Sequence, residues 1–204
     1  MDNKRQKIEH LSIKKWLSPT TWYIHIDNFI SCEDNAFEEL WKLHEHFEVH
    51  EVLMFGKRVK VPRKQGLFCD TEVSYNFSGC SVEAVKIPDL DILQTLQREL
   101  ASFGTYNALF FNWYKDGSDY ICAHRDDEKD LQTSSSIASL SFGATRTFRI
   151  RDYKTKKIVE DFQLNSGTLF IMGGDFQKEF THEVPKTKKS NNRRINITCR
   201  KFKI

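Results

Sequence analysis

From residue 108 onward the chain breaks into short runs rich in β-branched and aromatic residues, with no helix-length segment between them. The runs cover 108–114, 136–142, 145–151, 157–164, 167–172 and 194–202. Turn-type sequences separate them: Lys115-Asp116-Gly117-Ser118, Gly143-Ala144, residues 152–156 and Asn165-Ser166-Gly167. Parallel strands need long crossover connections, usually helical. Six strands without helices between them therefore exclude a Rossmann-type parallel sheet and predict an antiparallel sandwich or jelly roll.

Two amphipathic segments precede the strands. Ser31 with Asp34 resembles a capping box, and Phe37, Leu40, Trp41, His44 and Phe47 then follow helical spacing. A second helix is expected to start near Pro88–Asp89 and to bury Leu90, Leu93, Leu96, Leu100 and Phe103. Both stripes read as core faces that cover one sheet, which makes the fold class α+β. The 204 residues suit one domain with a sizeable core. Residues 1–20 read as a flexible polar arm and 21–204 as the domain.

Composition narrows the partners. No apolar run approaches the roughly 20 residues of a membrane span. Cys32, Cys69, Cys80, Cys122 and Cys199 are scattered without a CxxC, so reduced thiols and a reducing compartment are expected rather than a disulfide scaffold or zinc ribbon. A net charge of only +3 does not announce a polyanion partner. The basic residues are clustered, however: Lys57, Arg58, Lys60, Arg63 and Lys64 form one group, and Lys186, Lys188, Lys189, Arg193 and Arg194 another. Such clusters are either solvated surface or contacts to a polyanion. The pairs Lys4–Arg5 and Lys14–Lys15 would suit nuclear import.

His124-Arg125-Asp126 carries the sharpest chemistry. A His and an Asp two apart on a strand end project from one face and can grip one cation, and His182 follows downstream. Two histidines and a carboxylate make the facial triad of non-haem iron(II). HxD alone is a weak signal. The last strand strengthens it, because Arg194, Asn196, Thr198 and Arg200 share one face by period two. A half-buried strand with its polar side in water is the ordinary alternative, but two guanidiniums on one face suit bidentate binding of a dicarboxylate. Asn112 and Tyr114 likewise share a face opposite Trp113.

Taken together, Asn112-x-Tyr114, His124-x-Asp126, His182 and Arg194-x-Asn196-x-Thr198-x-Arg200 resemble the AlkB family of iron(II)/2-oxoglutarate dioxygenases. Pro62-Arg63-Lys64-Gln65, Tyr75-Asn76-Phe77-Ser78-Gly79 and Ile137-Ala138-Ser139-Leu140-Ser141-Phe142-Gly143 are similar to its eukaryotic branch that repairs nuclear double-stranded DNA. The resemblance runs from about residue 22 to the end. It implies a double-stranded β-helix, with 21–106 as a nucleotide-recognition region and 107–204 as the catalytic core. It further implies Fe(II) on His124, Asp126 and His182, and 2-oxoglutarate as co-substrate. Arg194 and Tyr114 would hold the distal carboxylate, Arg200 and Asn112 would lie near the metal-bound end, and Asn196 and Thr198 would complete the pocket. The implied reaction removes alkyl groups from N1-methyladenine and N3-methylcytosine in DNA, with RNA or single strands as the alternative substrate and a silent binding module as a reading from another class.

Such a base must leave the helix to be reached. Tyr75 and Phe77, with Asn76 between them, match the family's wall against a flipped base; two core aromatics are the plain alternative. Asp127 and Glu128 would favour a cationic base, or else belong to a solvated loop. Met54-Phe55-Gly56-Lys57 stands where the branch carries a hydrophobic finger that can fill the gap left by the base. Lys57, Arg63 and Lys64, with the loop carrying Lys186–Lys189, would contact phosphates. The chain is expected to be a monomer. It departs from the branch at Cys69, at Cys122 in place of a glycine, and at Trp113, where relatives often carry a basic residue.

Overall fold

The computed structural model describes residues 13–203 except 50, 55, 72, 78, 79 and 133, without the side chains of 52–54, 74–77 and 80–82. Its strands are β1 (Lys15–Trp16), β2 (Thr21–Ile26), β3 (Glu51–Met54), β4 (Lys57–Lys60), β5 (Lys64–Cys69), β6 (Ser74–Phe77), β7 (Cys80–Val85), β8 (Ala108–Tyr114), β9 (Ile121–His124), β10 (Ile137–Gly143), β11 (Arg146–Asp152), β12 (Ile158–Leu164), β13 (Thr168–Gly174), β14 (Phe180–Val184) and β15 (Arg194–Arg200). The helices are α1 (Asp34–Lys42), α2 (Asp91–Leu100) and the single turn α3 (Phe176–Glu179).

A large sheet runs in the order β1-β2-β13-β10-β15-β8-β5-β7-β6, a smaller one β12-β11-β14-β9, and β3 pairs with β4 as a hairpin. Pairing is antiparallel except between β5 and β7. Period-two patterning explains the layers. Every residue of β8 and β15 is buried, because each strand is covered on both faces. Phe111, Trp113, Ile195, Ile197 and Cys199 join the helices in one core, which also holds Leu40, Leu93, Leu96 and Leu100. Tyr114, Phe148, Ile150, Phe162, Phe170, Met172, Phe180 and Val184 fill a second core between the two sheets. The result is the expected α+β jelly roll, with its sheets face to face and the helices on the outer face of the larger one.

Several local expectations shift. The cap of α1 is Glu33, with no side-chain cap, so Ser31 and Asp34 form no capping box there. The helical spacing ends in a 3-10 turn, Leu43–His46, before Phe47. Phe47 still packs inward: a Cβ on Gly66 would lie 2.4 Å from its ring, so the strand must carry glycine to admit it. The second helix begins at Asp91, two residues past the proline–aspartate pair. Of the polar arm, residues 1–12 lie outside the described residues, while Lys15–Trp16 pair with β2. Trp113 faces the helices and donates Nε1–H to the Leu40 carbonyl at 3.0 Å, which accounts for an aromatic at that position.

Candidate active site

β9 and β14 are adjacent, and their register sets His124 directly opposite His182. Asp126 follows β9 by two residues. One ligand atom from each of the three lies within 4.8 Å of the others, so the triad expected from sequence converges. His124 Nδ1 lies 2.9 Å from the Cys122 carbonyl, which assigns it as the N–H and leaves Nε2 as a lone-pair donor. Burial pushes the His182 imidazole down to about 3, with His124 nearby adding to the effect. Burial likewise depresses His124, opposed by the Asp126 carboxylate. Both rings are thus neutral, the form that binds metal.

Burial alone would raise the Asp126 carboxyl, but the Arg200 guanidinium together with His182 and His124 outweighs it, and the group sits at about 2. Arg200 Nη2 is 2.9 Å from Oδ1. Oδ2 is buried and meets no hydrogen-bond donor. A buried, ionised oxygen without a donor beside two neutral imidazoles is a donor set that fits a divalent cation.

The positions expected from the sequence to hold 2-oxoglutarate lie on the facing sheet. β15 pairs with β8 so that Arg194 stands opposite Tyr114 and Asn196 opposite Asn112. Arg194 is 1% exposed, and its Nη2 donates to Ser141 Oγ at 2.8 Å. Its Nε and Nη1 are buried with no partner, and its guanidinium carbon is 5.0 Å from the Tyr114 ring centroid. Burial lowers its pKa, and no carboxylate compensates. A buried guanidinium without a carboxylate partner fits an incoming carboxylate. Asn196 Nδ2 donates to Ser139 Oγ at 2.7 Å and to the Leu140 carbonyl at 2.8 Å, while Thr198 Oγ1 donates to Asn196 Oδ1 at 3.1 Å. These two are locked into the sheet.

A cavity of about 340 Å³ joins the two groups; Arg63, Gln65, Asn112, Tyr114, Glu128, Arg194 and Thr198 line it beside the triad. Arg63 does not reach outward to a phosphate. Its Nε donates to Asn112 Oδ1 at 2.7 Å and its Nη1 to the Tyr120 carbonyl at 3.1 Å. Lys64 Nζ is similarly tied to the His44 carbonyl at 3.3 Å. Asp127 is exposed and engaged by Arg125, so its charge is partly spent outside the cavity. Lys57 is exposed at the start of β4, and Gly56 turns the hairpin at φ 76°. Phe55 lies outside the described residues. Met54 closes β3, and Tyr75, Asn76 and Phe77 lie on β6, at an edge of the large sheet; their side chains are not described.

Sequence reasoning missed Arg146. Its buried guanidinium donates to the carbonyls of Asp116 at 3.1 Å and of Asp119 and Pro185 at 2.8 Å, tying the loop after β8 to the segment after β14. Its inward phase with Phe148 and Ile150 was the available signal. Ser139 and Ser141, on the site face of β10, were legible in the same way.

The chain matches the 2OG-Fe(II) oxygenase superfamily over residues 23–200. It is 38% identical over 180 residues to the DNA oxidative demethylase ALKBH2 of Bos taurus, covering 83% of this chain and 64% of that protein. To the ALKBH2 of Homo sapiens it is 36% identical, covering 83% of this chain and 68% of that protein. The chain thus spans less than two thirds of the bovine relative's length. The solved structure of OsALKBH1 shares the fold at a TM-score of 0.60 and 16% identity, over 92% of this chain and 100% of that one. With the metal triad, the buried arginine and the jelly roll in place, the chain belongs to the 2OG-Fe(II) oxygenase superfamily and, within it, to the AlkB family.

Proposed function

We propose that this protein is a DNA repair dioxygenase that removes alkyl groups from N1-methyladenine and N3-methylcytosine, in double-stranded DNA by preference. The observation that carries this is one cavity holding both a largely buried His–Asp–His cation site and a buried guanidinium that no carboxylate pairs, in a chain akin to relatives named DNA oxidative demethylases. Bound Fe(II), with 2-oxoglutarate and O₂, supplies the oxidising equivalents that hydroxylate the N-alkyl carbon, releasing succinate and CO₂. The hydroxylated alkyl group then leaves as formaldehyde, restoring the base.

The chain's own residues bind and orient. His124, Asp126 and His182 hold the metal, and Arg200 keeps Asp126 ionised and aimed. Arg194, beside Tyr114, pairs with the distal carboxylate, while Asn112, Asn196 and Thr198 shape the rest of that pocket. Phe110 and Phe148 border the cavity and restrict water. Glu128, also on its border, favours a cationic base over a neutral one. Residues 21–106 provide the nucleotide-recognition region, with the finger Met54-Phe55-Gly56-Lys57 and the wall Tyr75-Asn76-Phe77. Asp127 contributes only what its pairing with Arg125 leaves, and Arg63 acts by holding Asn112 unless it swings outward.

The test is formaldehyde and succinate release from oligonucleotides carrying 1-methyladenine or 3-methylcytosine, as duplex DNA, single-stranded DNA and RNA. Release of both products, greatest on duplex DNA and lost in His124→Ala, Asp126→Ala and His182→Ala, is expected. Absence of formaldehyde from every methylated substrate sinks the reading; greater activity on RNA moves it to that substrate.

A further inference from the structure

The main chain of Asp126 is held by something other than a strand ladder. Residues 125–128 have left β9. The carboxylate is drawn towards Arg200 at 2.9 Å, and that pull by itself leaves the backbone free to pivot. The backbone is fixed instead by Gln177. The N–H of Asp126 donates to Gln177 Oε1 at 2.9 Å. A backbone N–H can only donate, so the amide orientation is settled: Oε1 faces Asp126, and Nε2 faces Met172 Sδ at 3.6 Å. Met172 itself borders the cavity.

Gln177 lies in α3, between β13 and the strand that carries His182. The segment that delivers one expected ligand therefore grips the backbone of another. That segment is braced in turn. The Tyr153 N–H donates to the Glu179 carbonyl at 2.8 Å, and the Glu179 carboxylate accepts from the Thr21 hydroxyl at 2.6 Å. The one-turn helix is thus tied to the β11–β12 hairpin on one side and to β2 on the other.

We propose that Gln177 is a positioning residue for the metal centre, setting the place of the Asp126 carboxylate through its main chain. The inference rests on reading His124, Asp126 and His182 as the metal ligands. Outer contacts of this kind are worth about 10- to 100-fold in metal affinity. The experiment is titration of the apo-protein with Mn(II), without substrate, for wild type, Gln177→Leu and Gln177→Glu, alongside the apo melting temperature. Leucine removes the acceptor at similar size; glutamate keeps an oxygen facing the Asp126 N–H.

Gln177→Leu should bind Mn(II) about tenfold or more weakly at an unchanged melting temperature, and Gln177→Glu should recover most of that affinity. Wild-type affinity in Gln177→Leu overturns the proposal, as does a loss that Gln177→Glu fails to restore. A fall in melting temperature that accounts for the weaker binding overturns it too, because Gln177 is then only structural. Failure of the wild type itself to bind Mn(II) would instead remove the metal-centre reading on which the proposal stands.

Discussion

At Arg194 a full positive charge is buried with two of its three nitrogens unpaired, an arrangement that costs stability until an anion arrives. Arg194→Met should not lower the melting temperature of the ligand-free protein, while abolishing the rise that 2-oxoglutarate gives the wild type. Arg194→Ala should raise the 2-oxoglutarate requirement by about two to four orders of magnitude, since breaking a buried pair costs about 3–5 kcal/mol and each ~1.4 kcal/mol is a decade. Arg194→Lys should restore only part, because an ammonium lacks the bidentate fork. Wild-type dependence on 2-oxoglutarate in these variants would remove Arg194 from the pocket. The histidines make a pH prediction. His182 is held at about 3 when folded, against roughly 6.5 unfolded, so the unfolded chain binds the extra proton. Stability is fully present above about 6.5 and is lost as pH falls towards the folded value; Asp126, held at about 2, adds loss at still lower pH. Denaturation midpoints of the apo-protein from pH 7.5 to 4.5 should fall less steeply in His182→Asn than in wild type.

At the scale of elements, the proposed preference for duplex DNA can be tested at the β3–β4 hairpin. Its turn requires Gly56, whose φ of 76° strains any residue with a Cβ. In a duplex, an apolar side chain entering the gap left by a flipped base recovers part of an unstacking cost of a few kcal/mol. A single strand offers no such gap. Phe55→Ala should therefore lower activity on methylated duplex by about tenfold or more, ~1.4 kcal/mol in rate terms, and change single-strand activity much less. If Phe55 is instead core, alanine costs ~3–5 kcal/mol of stability and depresses both activities together. Measuring both substrates beside the melting temperature decides between these outcomes.

For the whole molecule, the helix layer is support and the inter-sheet space is chemistry. Leu96 is fully buried in α2, in the core that joins the helices to the large sheet. Leu96→Ala should cost about 2–5 kcal/mol of stability. The KM for 2-oxoglutarate in the protein that remains folded should stay within about twofold, since Leu96 packs in the core that holds Ile195 and Ile197, on the face of β15 opposite Arg194. A large KM change at a modest stability loss would mean that the sheet transmits strain to the site.

Where a polar pattern is periodic, the sequence determined the outcome by itself. The alternation Arg194-x-Asn196-x-Thr198-x-Arg200 leaves a strand no other way to bury Ile195, Ile197 and Cys199, and six of the eight strands from residue 108 onward were legible from patterning of the chain itself. The stripe Leu93, Leu96, Leu100 had the same force in α2. Strands β5, β9 and β14 carry Gln65, His124, Asp126 just beyond, and His182 where an ordinary strand would carry apolar residues. Their identity as strands was hidden by the chemistry they serve. Only the tertiary structure decided which groups meet. Register set His124 against His182, close packing turned Arg63 onto Asn112, and loop closure gave Arg146 three carbonyls and Asp126 its amide partner in Gln177. A contact between residues far apart in the chain leaves no period to read, because its energy depends on the whole packed arrangement and not on its neighbours in sequence.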